Sequence, residues 1–540
     1  MSGKKKNAVT LIVLCALLAI FLVLYFVIPR SAGQKADTTS NTTKETSDNE
    51  NISLDSIAVD QVASVTVTKK EKKVWSLKRK KKNSWSLVGM ETAPVNEETV
   101  SAILENVKPV KATQKFEAQS EDLSLYGLDR PDLAISIKTT DGATYRYEIG
   151  SEVPKSDMGY YGKCSDRDEI YCFSSALVKA FDVPGISLVK MDELPEIEED
   201  HMTAIAVKVK EGKDFAAKKV SDAEKVDFYS NWNITAPYEK PLATSQSEWS
   251  TVLKYFTSLT YEEMVEYDCR NLQKYGLKNP QAVISVNYYQ AKKGYTPSAT
   301  ATPDANATGN SSSESSYVIP ENKRDYKSLH LYVGKKTGDS YYVCEQGKKN
   351  VYKMSASTVE NITGLDAYTN MDHCVYSVLA TSIKGYDVTY GDTTLKVTRK
   401  SVPKKDSKTT ATPNATPTAT ASESGTAVGN TTDSSQKNIW TLNGKKISDD
   451  DERDFLSPYS LAYLLEYSGK AENDVKPKSE KPVLTIVYHE DKRDVIVKYL
   501  PYDGINFYRV EKNGMDYFLV DKLSVDDVIE KFKGIEKFAK

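Results

Sequence analysis

Histidine and cysteine, the side chains that most often bind zinc, are few in this sequence. The chain of 540 residues contains four histidines: His201, His330, His373 and His489. None lies in an HExxH motif or at another short ligand spacing, and no cysteine accompanies them at the spacing of a zinc site. The sequence therefore predicts no metal ligand and no cofactor-binding residue.

Motifs for nucleophilic or phosphate-binding chemistry are also missing from the sequence. It contains no GxSxG turn, no phosphate-binding loop and no GxGxxG segment. Paired carboxylates for glycoside hydrolysis form in space and leave no fixed spacing to read. We therefore expect no catalytic residue and no enzyme, and an envelope hydrolase with an unrecognised site stays open as an alternative.

Acidic and thiol groups were the remaining candidates for chemistry. The run Asp449-Asp450-Asp451 lacks the alternating pattern of a calcium-binding loop, and carboxylates in the first turn of a helix complement its dipole. The six cysteines are scattered, with Cys15 inside an apolar segment. Cys164 and Cys172 flank a predicted turn, and the sequence leaves open whether they form a disulfide.

Composition and charge limit the kinds of molecule that this protein could bind. The formal net charge is −3, so no global positive field would attract nucleic acid. Tyrosine is frequent, with 34 residues against 13 phenylalanines, which favours half-buried strands and much solvent-facing sheet. A sugar-binding surface would give the same count and remains an alternative.

The N-terminal segment has the properties of a membrane anchor. Residues 8–28 form one apolar run without a charge, long enough for a helix to cross a hydrocarbon core of about 30 Å. Lysines at positions 4–6 precede it, so the positive-inside rule places residues 1–7 in the cytoplasm as a basic tail. Residues 29–52 are polar and predict a flexible tether. We expect a single-pass protein of the cell membrane with an extracytoplasmic C-terminal part, a cleaved signal peptide being the alternative.

A turn signature that occurs twice indicates internal repetition. It consists of a Tyr-Gly-Leu sequence followed by a proline three residues later. The two occurrences are Tyr126-Gly127-Leu128 with Pro131 and Tyr275-Gly276-Leu277 with Pro280. Each is followed by an alternating strand, then by a strand ending in Ile149-Gly150 or Val333-Gly334, and then by a Tyr-rich hairpin. We interpret the signature as a structural turn, and a ligand role for Tyr126 or Tyr275 is the alternative.

A tryptophan marks a short strand in three places, at Trp85, Trp232 and Trp440. Because each strand has only one or two other apolar residues, we expect these rings to anchor the core. An alternating strand precedes each one, and a capped amphipathic helix follows. The predicted fold is α+β, with an N-terminal transmembrane helix followed by three tandem antiparallel-sheet-plus-helix repeats. Their predicted ranges are 53–190, 200–368 and 374–540.

The third predicted repeat is the most divergent. Its opening strand is predicted over Ala380–Tyr386, and its helix is predicted to begin at an N-cap on Ser448. The Tyr-Gly-Leu signature is missing, and Val475–Pro482 stands in its place. Two segments rich in Thr, Ala, Pro and Ser, residues 296–316 and 402–437, read as disordered inserts at hairpin tips in the second and third repeats.

This ordered set of turns, strand ends and hairpins resembles a bacterial family, the domain-of-unknown-function family number 4340. The resemblance covers the first two repeats well, and the third departs from it by losing the turn. It implies a membrane-anchored extracytoplasmic protein, with genes often beside ABC-2-type transporters similar to the gliding-motility system. It supplies no catalytic residues.

The sequence therefore favours a non-enzymatic accessory or scaffold protein of the cell envelope. The expected partners are the membrane, an ABC-2 permease with its ATPase, and cell-wall components. A surface module that binds a glycan or a peptide is the second hypothesis.

Overall fold

The computed structural model describes residues 52–81, 84–116, 122–154, 159–227, 229–296, 319–403, 436–472 and 481–539. The predicted cytoplasmic tail, transmembrane helix and almost all of the tether lie outside these ranges, as do most residues of both predicted inserts. Within the ranges described, no helix combines the length and apolar character needed to span a bilayer.

The fold is a mixed α/β arrangement of several antiparallel sheets with few helices. The first large sheet has eight strands in the order β4-β3-β2-β7-β8-β9-β10-β6. Its strands are β2 (Val62–Lys69), β3 (Lys72–Arg79), β4 (Trp85–Leu87), β6 (Gln114–Phe116), β7 (Leu133–Thr139), β8 (Thr144–Glu152), β9 (Tyr160–Cys164) and β10 (Ile170–Phe173). A small two-stranded sheet beside it pairs β1 (Ile52–Asp55) with β5 (Val110–Ala112).

The second large sheet has nine strands in the order β14-β13-β12-β11-β16-β17-β18-β19-β15. These are β11 (Met202–Val209), β12 (Phe215–Lys219), β13 (Trp232–Ala236), β14 (Leu242–Ala243), β15 (Glu263–Glu266), β16 (Ala282–Ala291), β17 (Arg324–Thr337), β18 (Ser340–Glu345) and β19 (Val351–Ser355).

The third large sheet also has nine strands, in the order β23-β22-β21-β20-β25-β26-β27-β28-β24. These are β20 (Gly385–Tyr390), β21 (Thr393–Pro403), β22 (Gln436–Leu442), β23 (Lys445–Lys446), β24 (Gly469–Lys470), β25 (Leu484–His489), β26 (Asp494–Pro501), β27 (Phe507–Lys512) and β28 (Met515–Asp521).

The α-helices of the described ranges bury apolar side chains in the same core as these sheets. They are α1 (Glu97–Glu105), α2 (Ser175–Phe181), α3 (Trp249–Thr257), α4 (Ala356–Thr363), α5 (Ala367–Asn370), α6 (Glu452–Tyr463) and α7 (Lys522–Ile535). Asn96 caps α1 as expected, because its side-chain oxygen accepts the Thr99 backbone N–H at 3.2 Å. Burying an apolar side chain such as Ile103 of this helix is worth roughly 1.5–3 kcal/mol.

The strands alternate between a buried and a solvent-facing side, as their sequences predict. In β2, Val65 and Val67 are buried, while the Thr66 hydroxyl lies on the opposite face, 2.8 Å from the Ser76 hydroxyl. One continuous apolar core passes through all three large sheets. The described part of the chain is therefore held together by a shared interior as well as by its connections.

Several predicted boundaries in the third sheet are wrong. Residues 380–382 form a 3₁₀ turn and the strand begins at Gly385, not at Ala380. Ser448 is not the N-cap, because α6 begins at Glu452 and Asp451 stands at its N-cap position; the Ser448 hydroxyl accepts the Asp451 N–H at 3.2 Å in the turn before the helix. The insert predicted at 402–437 is too long, since β21 continues to Pro403 and β22 begins at Gln436.

Candidate functional site

The Tyr-Gly-Leu turn of the first sheet packs against the end of β8. A 3₁₀ turn over Leu123–Tyr126 leads into Gly127, which has φ +67°. A Cβ on Gly150 would lie 2.2 Å from the Tyr126 carbonyl oxygen, which is closer than any side chain tolerates. Gly150 therefore permits the turn to dock, and two features that are separate in the sequence form one contact.

The same contact occurs in the second sheet. Gly276 has φ +76°, and a Cβ on Gly334 would lie 2.2 Å from the Tyr275 carbonyl oxygen. Leu277 is buried beside this contact, as Leu128 is in the first sheet. The prolines that follow, Pro131 and Pro280, are half-buried at the entry to β7 and β16.

The tyrosine rings of the two turns face aromatic partners rather than an open site. The Tyr126 ring lies edge-on to Tyr161 at 5.2 Å, and the Tyr275 ring lies edge-on to Tyr342 at 4.8 Å. The Tyr275 hydroxyl also donates to the Glu266 carboxylate at 2.6 Å. These contacts give both tyrosines a packing role.

The third sheet lacks the glycine as well as the turn. Strand register places Leu500 at the position of Gly150 and Gly334. The residue just before each of them, Ile149, Val333 or Tyr499, pairs with the first strand residue two positions after a proline. That proline is Pro131, Pro280 or, in the third sheet, Pro482. Leu500 is buried. A leucine side chain fills the space that a docked turn would need, so the loss of the turn and the loss of the glycine belong together.

The three marker tryptophans occupy one register position. Each opposes a basic residue on the neighbouring strand: Trp85 opposes Arg79, Trp232 opposes Lys219 and Trp440 opposes Arg399. Trp232 and Trp440 are buried, whereas Trp85 is only half-buried. The Arg79 guanidinium covers the exposed side of the Trp85 ring at 4.5 Å from its centroid.

The basic partners of these tryptophans share a role that the sequence analysis missed. Each donates to a backbone carbonyl at or just before the opening strand: Arg79 to Val62 at 2.6 Å, Lys219 to Asp200 at 3.0 Å and Arg399 to Ile383 at 2.7 Å. Burial lowers the pKa of Lys219 and of Arg399. A basic residue in the second strand of each sheet, at its end in the first two sheets, was the available signal.

The thiols are poorly suited to nucleophilic chemistry. Cys164 and Cys172 are both buried and are not joined to each other, so the disulfide that the sequence left open is not formed. Burial raises the pKa of Cys164 to about 12 and that of Cys344 to about 11. Thiols with such pKa values stay protonated near neutrality and are weak nucleophiles.

Acidic groups in the described ranges do not assemble a metal centre. No cluster of three or more His, Cys, Asp or Glu side chains suitable for a metal occurs there. Asp449 forms an ion pair with Lys437, and the hydrogen bond from that lysine lowers the pKa of the carboxyl. The acids within the first turn of α6 are Glu452 and Asp454, so Asp449 and Asp450 precede the helix rather than sit in its first turn.

A first junction joins the first and second sheets through hydrogen bonds from uncharged donors. Strand β15 of the second sheet packs on the 3₁₀ turn at Gly185–Leu188. The Tyr267 hydroxyl donates to the Thr92 carbonyl at 3.2 Å, and the Asn350 amide donates to Asp192 at 3.2 Å. Behind them, the rings of Tyr261 and Tyr352 are stacked with centroids 3.9 Å apart.

A second junction joins the second and third sheets and uses more groups. Tyr238 stacks on Tyr517 at 4.7 Å and meets Phe518 edge-on at 5.5 Å, and the Lys240 N–H donates to the Tyr517 hydroxyl at 3.1 Å. Two cations, Arg493 and Lys470, add polar contacts to this aromatic one. The Arg493 guanidinium donates to the Lys225 and Val226 carbonyls at 2.6 and 3.1 Å.

Lys470 is the second cation of this junction. Its ammonium pairs with Asp366 at 3.1 Å and lies 5.1 Å from the Tyr368 ring centroid. Tyr368 in turn donates to the Tyr467 carbonyl at 3.3 Å. Charge and aromatic surface are therefore combined at one contact.

Three titratable groups lie inside the second junction. Asp227 is buried, and its Oδ1 accepts the backbone N–H groups of Tyr229 and Ser230. Burial raises the pKa of the Asp227 carboxyl. Burial lowers the pKa of Lys512, and the nearby carboxylates of Asp227 and Asp372 oppose that shift in part.

Two cavities differ in what they could hold. One of about 10 Å³ lies in the core of the first sheet and is lined mainly by apolar side chains such as Ile137, Phe173 and Phe181. It has room for no more than one water molecule. A second of about 370 Å³ opens on the second sheet between Val209, Tyr341 and α4, and its size falls within the range of small-molecule pockets.

A family model for a domain of unknown function (DUF4340) matches the chain twice, over residues 85–280 and 232–433. Together the two matches span more than half of the chain. Neither a comparison with curated proteins nor one with solved structures finds a match.

Proposed function

The chain belongs to the family described as a domain of unknown function (DUF4340), and on that premise we propose that it is a non-enzymatic accessory or scaffold protein of the cell envelope. It acts by contact, and its working surface is the set of three large sheets. The observation that carries this proposal is the pair of junctions. They link the sheets into one extended body with a common core.

The proposal includes three tandem copies of one unit. Its support is that the three large sheets share one strand order: the tryptophan strand (β4, β13 or β22) lies at or next to one edge, and the strand before the central hairpin (β6, β15 or β24) forms the other edge. The tryptophans and their basic partners also share one register. Stacked copies that contact only their neighbours form extended surfaces suited to partner binding.

The first sheet differs from the other two on the side where a preceding copy would pack. Tyr171, Tyr352 and Phe518 occupy one position, opposite Lys115, Met264 and Lys470. Three residues before these partners, the second and third sheets carry Tyr261 and Tyr467, whereas the first carries Ala112. Strand β1 pairs at Ala112 and covers that side, so the first sheet needs no preceding copy.

The proposed membrane topology rests on the sequence. An anchor helix at 8–28 would hold the sheets outside the cytoplasm on a tether at 29–52. One helix cannot form a transport path, because a path needs several helices or a closed barrel. Confinement to the membrane plane would raise the effective concentration of a neighbouring ABC-2 permease, so a weak direct interface would be enough.

Purification from native membranes tests this proposal. Full-length protein solubilised in detergent is expected to bring down an ABC-2 permease or its ATPase, and a chain lacking residues 1–28 is expected to do so poorly. A chain whose residues 8–28 are replaced by an unrelated apolar helix is the matched control, because it keeps the confinement and should keep the partner. The proposal fails if the full-length protein comes down alone while the purified chain hydrolyses a cell-wall substrate.

A further inference from the structure

The 370 Å³ cavity of the second sheet lies at positions whose equivalents in the other two sheets carry larger or charged side chains. Val209 lines the cavity at the end of β11, and Thr363 lines it at the end of α4. The register opposite β7, β16 and β25 makes Lys69 and Tyr390 the equivalents of Val209. The size and charge of the residue at this position (Lys69, Val209 or Tyr390) decide whether side chains fill the space that the cavity occupies in the second sheet.

In the first sheet an ion pair fills the space. The Lys69 ammonium lies 2.6 Å from the Asp182 carboxylate, and Asp182 follows α2 as Thr363 ends α4. In the third sheet the larger Tyr390 fills it, with its hydroxyl donating to Glu536 at 2.7 Å beyond α7. The second sheet has only the short side chains of Val209 and Thr363 there, and neither can reach across.

A third difference between the first and second sheets removes the ion-pair partner of the lysine at the cavity rim. In the first sheet Lys70 lies 3.9 Å from Asp132, which precedes β7. The second sheet has Lys210 at the same position, but Gln281 replaces the aspartate. Within the part of the chain that the structure describes, neither Lys210 nor Glu211 has an ion pair. Three charged residues that close the first sheet's site are thus all neutral in the second.

The polar groups around the cavity are mostly acceptors. The Gln281 amide N–H donates to the Gly334 carbonyl at 2.7 Å, which leaves its side-chain oxygen to accept. The Thr363 hydroxyl donates to the Val359 carbonyl at 2.9 Å and keeps its lone pairs. The exposed Glu211 carboxylate adds two acceptor oxygens, and the Lys210 ammonium supplies donors.

The remaining lining offers apolar and aromatic surface. Val209, Ala282 and Val359 form its apolar part. The Tyr341 ring forms another side and is fixed by a hydrogen bond from its hydroxyl to Glu360 at 3.0 Å. A ligand for this lining needs several hydroxyl donors, one acceptor for the lysine and an apolar face for the ring.

From this geometry we infer that the cavity of the second sheet binds a saccharide of one or two sugar rings. Sugar hydroxyls meet the acceptors of Glu211, Gln281 and Thr363, and a ring or hydroxyl oxygen meets Lys210. The apolar face of the sugar packs against Tyr341 and Val209. The site is independent of the proposed scaffold role, because it uses one sheet and neither junction.

Saturation-transfer NMR on the full-length protein in phospholipid nanodiscs tests this inference, with maltose and N,N′-diacetylchitobiose as separate probes. Nanodiscs avoid the sugar head groups of common detergents. At least one disaccharide is expected to receive saturation from the native protein. Absence of transfer to both sugars would overturn the inference, as would transfer to the dipeptide Ala-Ala alone.

Two variants assign the signal to the cavity. Val209→Lys combined with Thr363→Asp recreates the ion pair of the first sheet and is expected to abolish transfer. Lys210→Ala combined with Glu211→Ala changes only exposed side chains and is expected to weaken binding about tenfold, a loss of about 1.4 kcal/mol. Lys208→Ala is the control, since Lys208 is exposed on the same strand but does not line the cavity. Binding that survives both double variants would overturn the assignment.

Discussion

The two junctions both hold neighbouring sheets together, but they use different chemical groups. At the first junction, contact between the first and second sheets depends on the uncharged donors Tyr267 and Asn350, and the stacked rings of Tyr261 and Tyr352 lie behind it within the second sheet. At the second, the aromatic contact of Tyr238 with Tyr517 is joined by two cations, Arg493 and Lys470. The edge strand and last strand of the following sheet face the preceding one in both cases.

This difference shows which part of the interface the fold requires. An aromatic residue at the position of Tyr352 and Phe518 is common to both junctions and is fully buried in each. The cations occur at the second junction alone, within the described ranges. The aromatic position therefore sets the geometry, and the charges adjust strength and sensitivity to salt and pH.

The largest expected effect comes from the shared aromatic position. Phe518→Ala and Tyr352→Ala should each reduce the free energy of unfolding by about 3–5 kcal/mol, the range for truncating a large buried ring. Denaturant unfolding of both variants measures this directly. Losses that differ by several kcal/mol would mean that the two positions are not equivalent, and the common design of the junctions would have to be abandoned.

A smaller effect should separate the junctions. Arg493→Met keeps the apolar stem but removes the bonds to the Lys225 and Val226 carbonyls, and bonds from a charged donor are worth about 1.5–3 kcal/mol. Tyr267→Phe at the first junction removes a bond between two uncharged groups, from the hydroxyl to the Thr92 carbonyl, and should cost at most about 1 kcal/mol. Equal losses in the two variants would remove the distinction drawn between the junctions.

Lys470→Met should have a still smaller effect that depends on salt. The ion pair with Asp366 is about 40% exposed on both sides, and exposed pairs contribute about 0.2–1 kcal/mol. The loss should shrink as sodium chloride is raised from low to high concentration, because salt screens the native pair. A loss that is the same at all salt concentrations would show that the lysine acts through its packing on Tyr368.

The last prediction concerns the pH dependence of the second junction. Because burial raises the pKa of Asp227, its contribution to stability is complete at low pH and is lost as pH rises through that raised pKa. Asp227→Asn can still accept the N–H groups of Tyr229 and Ser230 but cannot ionise. The variant should therefore gain stability relative to the native protein as pH rises from 4 to 7. A constant difference over that interval would contradict the assignment.

Much of the fold could be predicted from local patterns. Alternating burial identified most strands, and the tryptophans share one register because each lies opposite a basic residue of the strand before it. The turn motif was recognised, but its contact with Gly150 or Gly334 was not. That contact depends on two segments meeting in space.

The junctions and the cavity could not be predicted in the same way. Phe518 and Tyr352 look like ordinary core residues in an alternating strand, so nothing local distinguishes a ring that faces another sheet. The cavity exists because Val209 and Thr363 are short where the first sheet has Lys69 and Asp182. Such a difference becomes informative only once strand register aligns the three sheets.

Native-state hydrogen exchange of the full-length protein tests most directly whether the junctions hold the three sheets as one body. Amides at the first junction (residues 185–192) and at the second (residues 237–243 and 366–376) are expected to be protected for about as long as those of the neighbouring central strands. The second junction should be the more protected, because more groups hold it closed. Exchange at both junctions near the rate of an unstructured chain, with the central strands still protected, would show that the sheets move independently and would contradict the account.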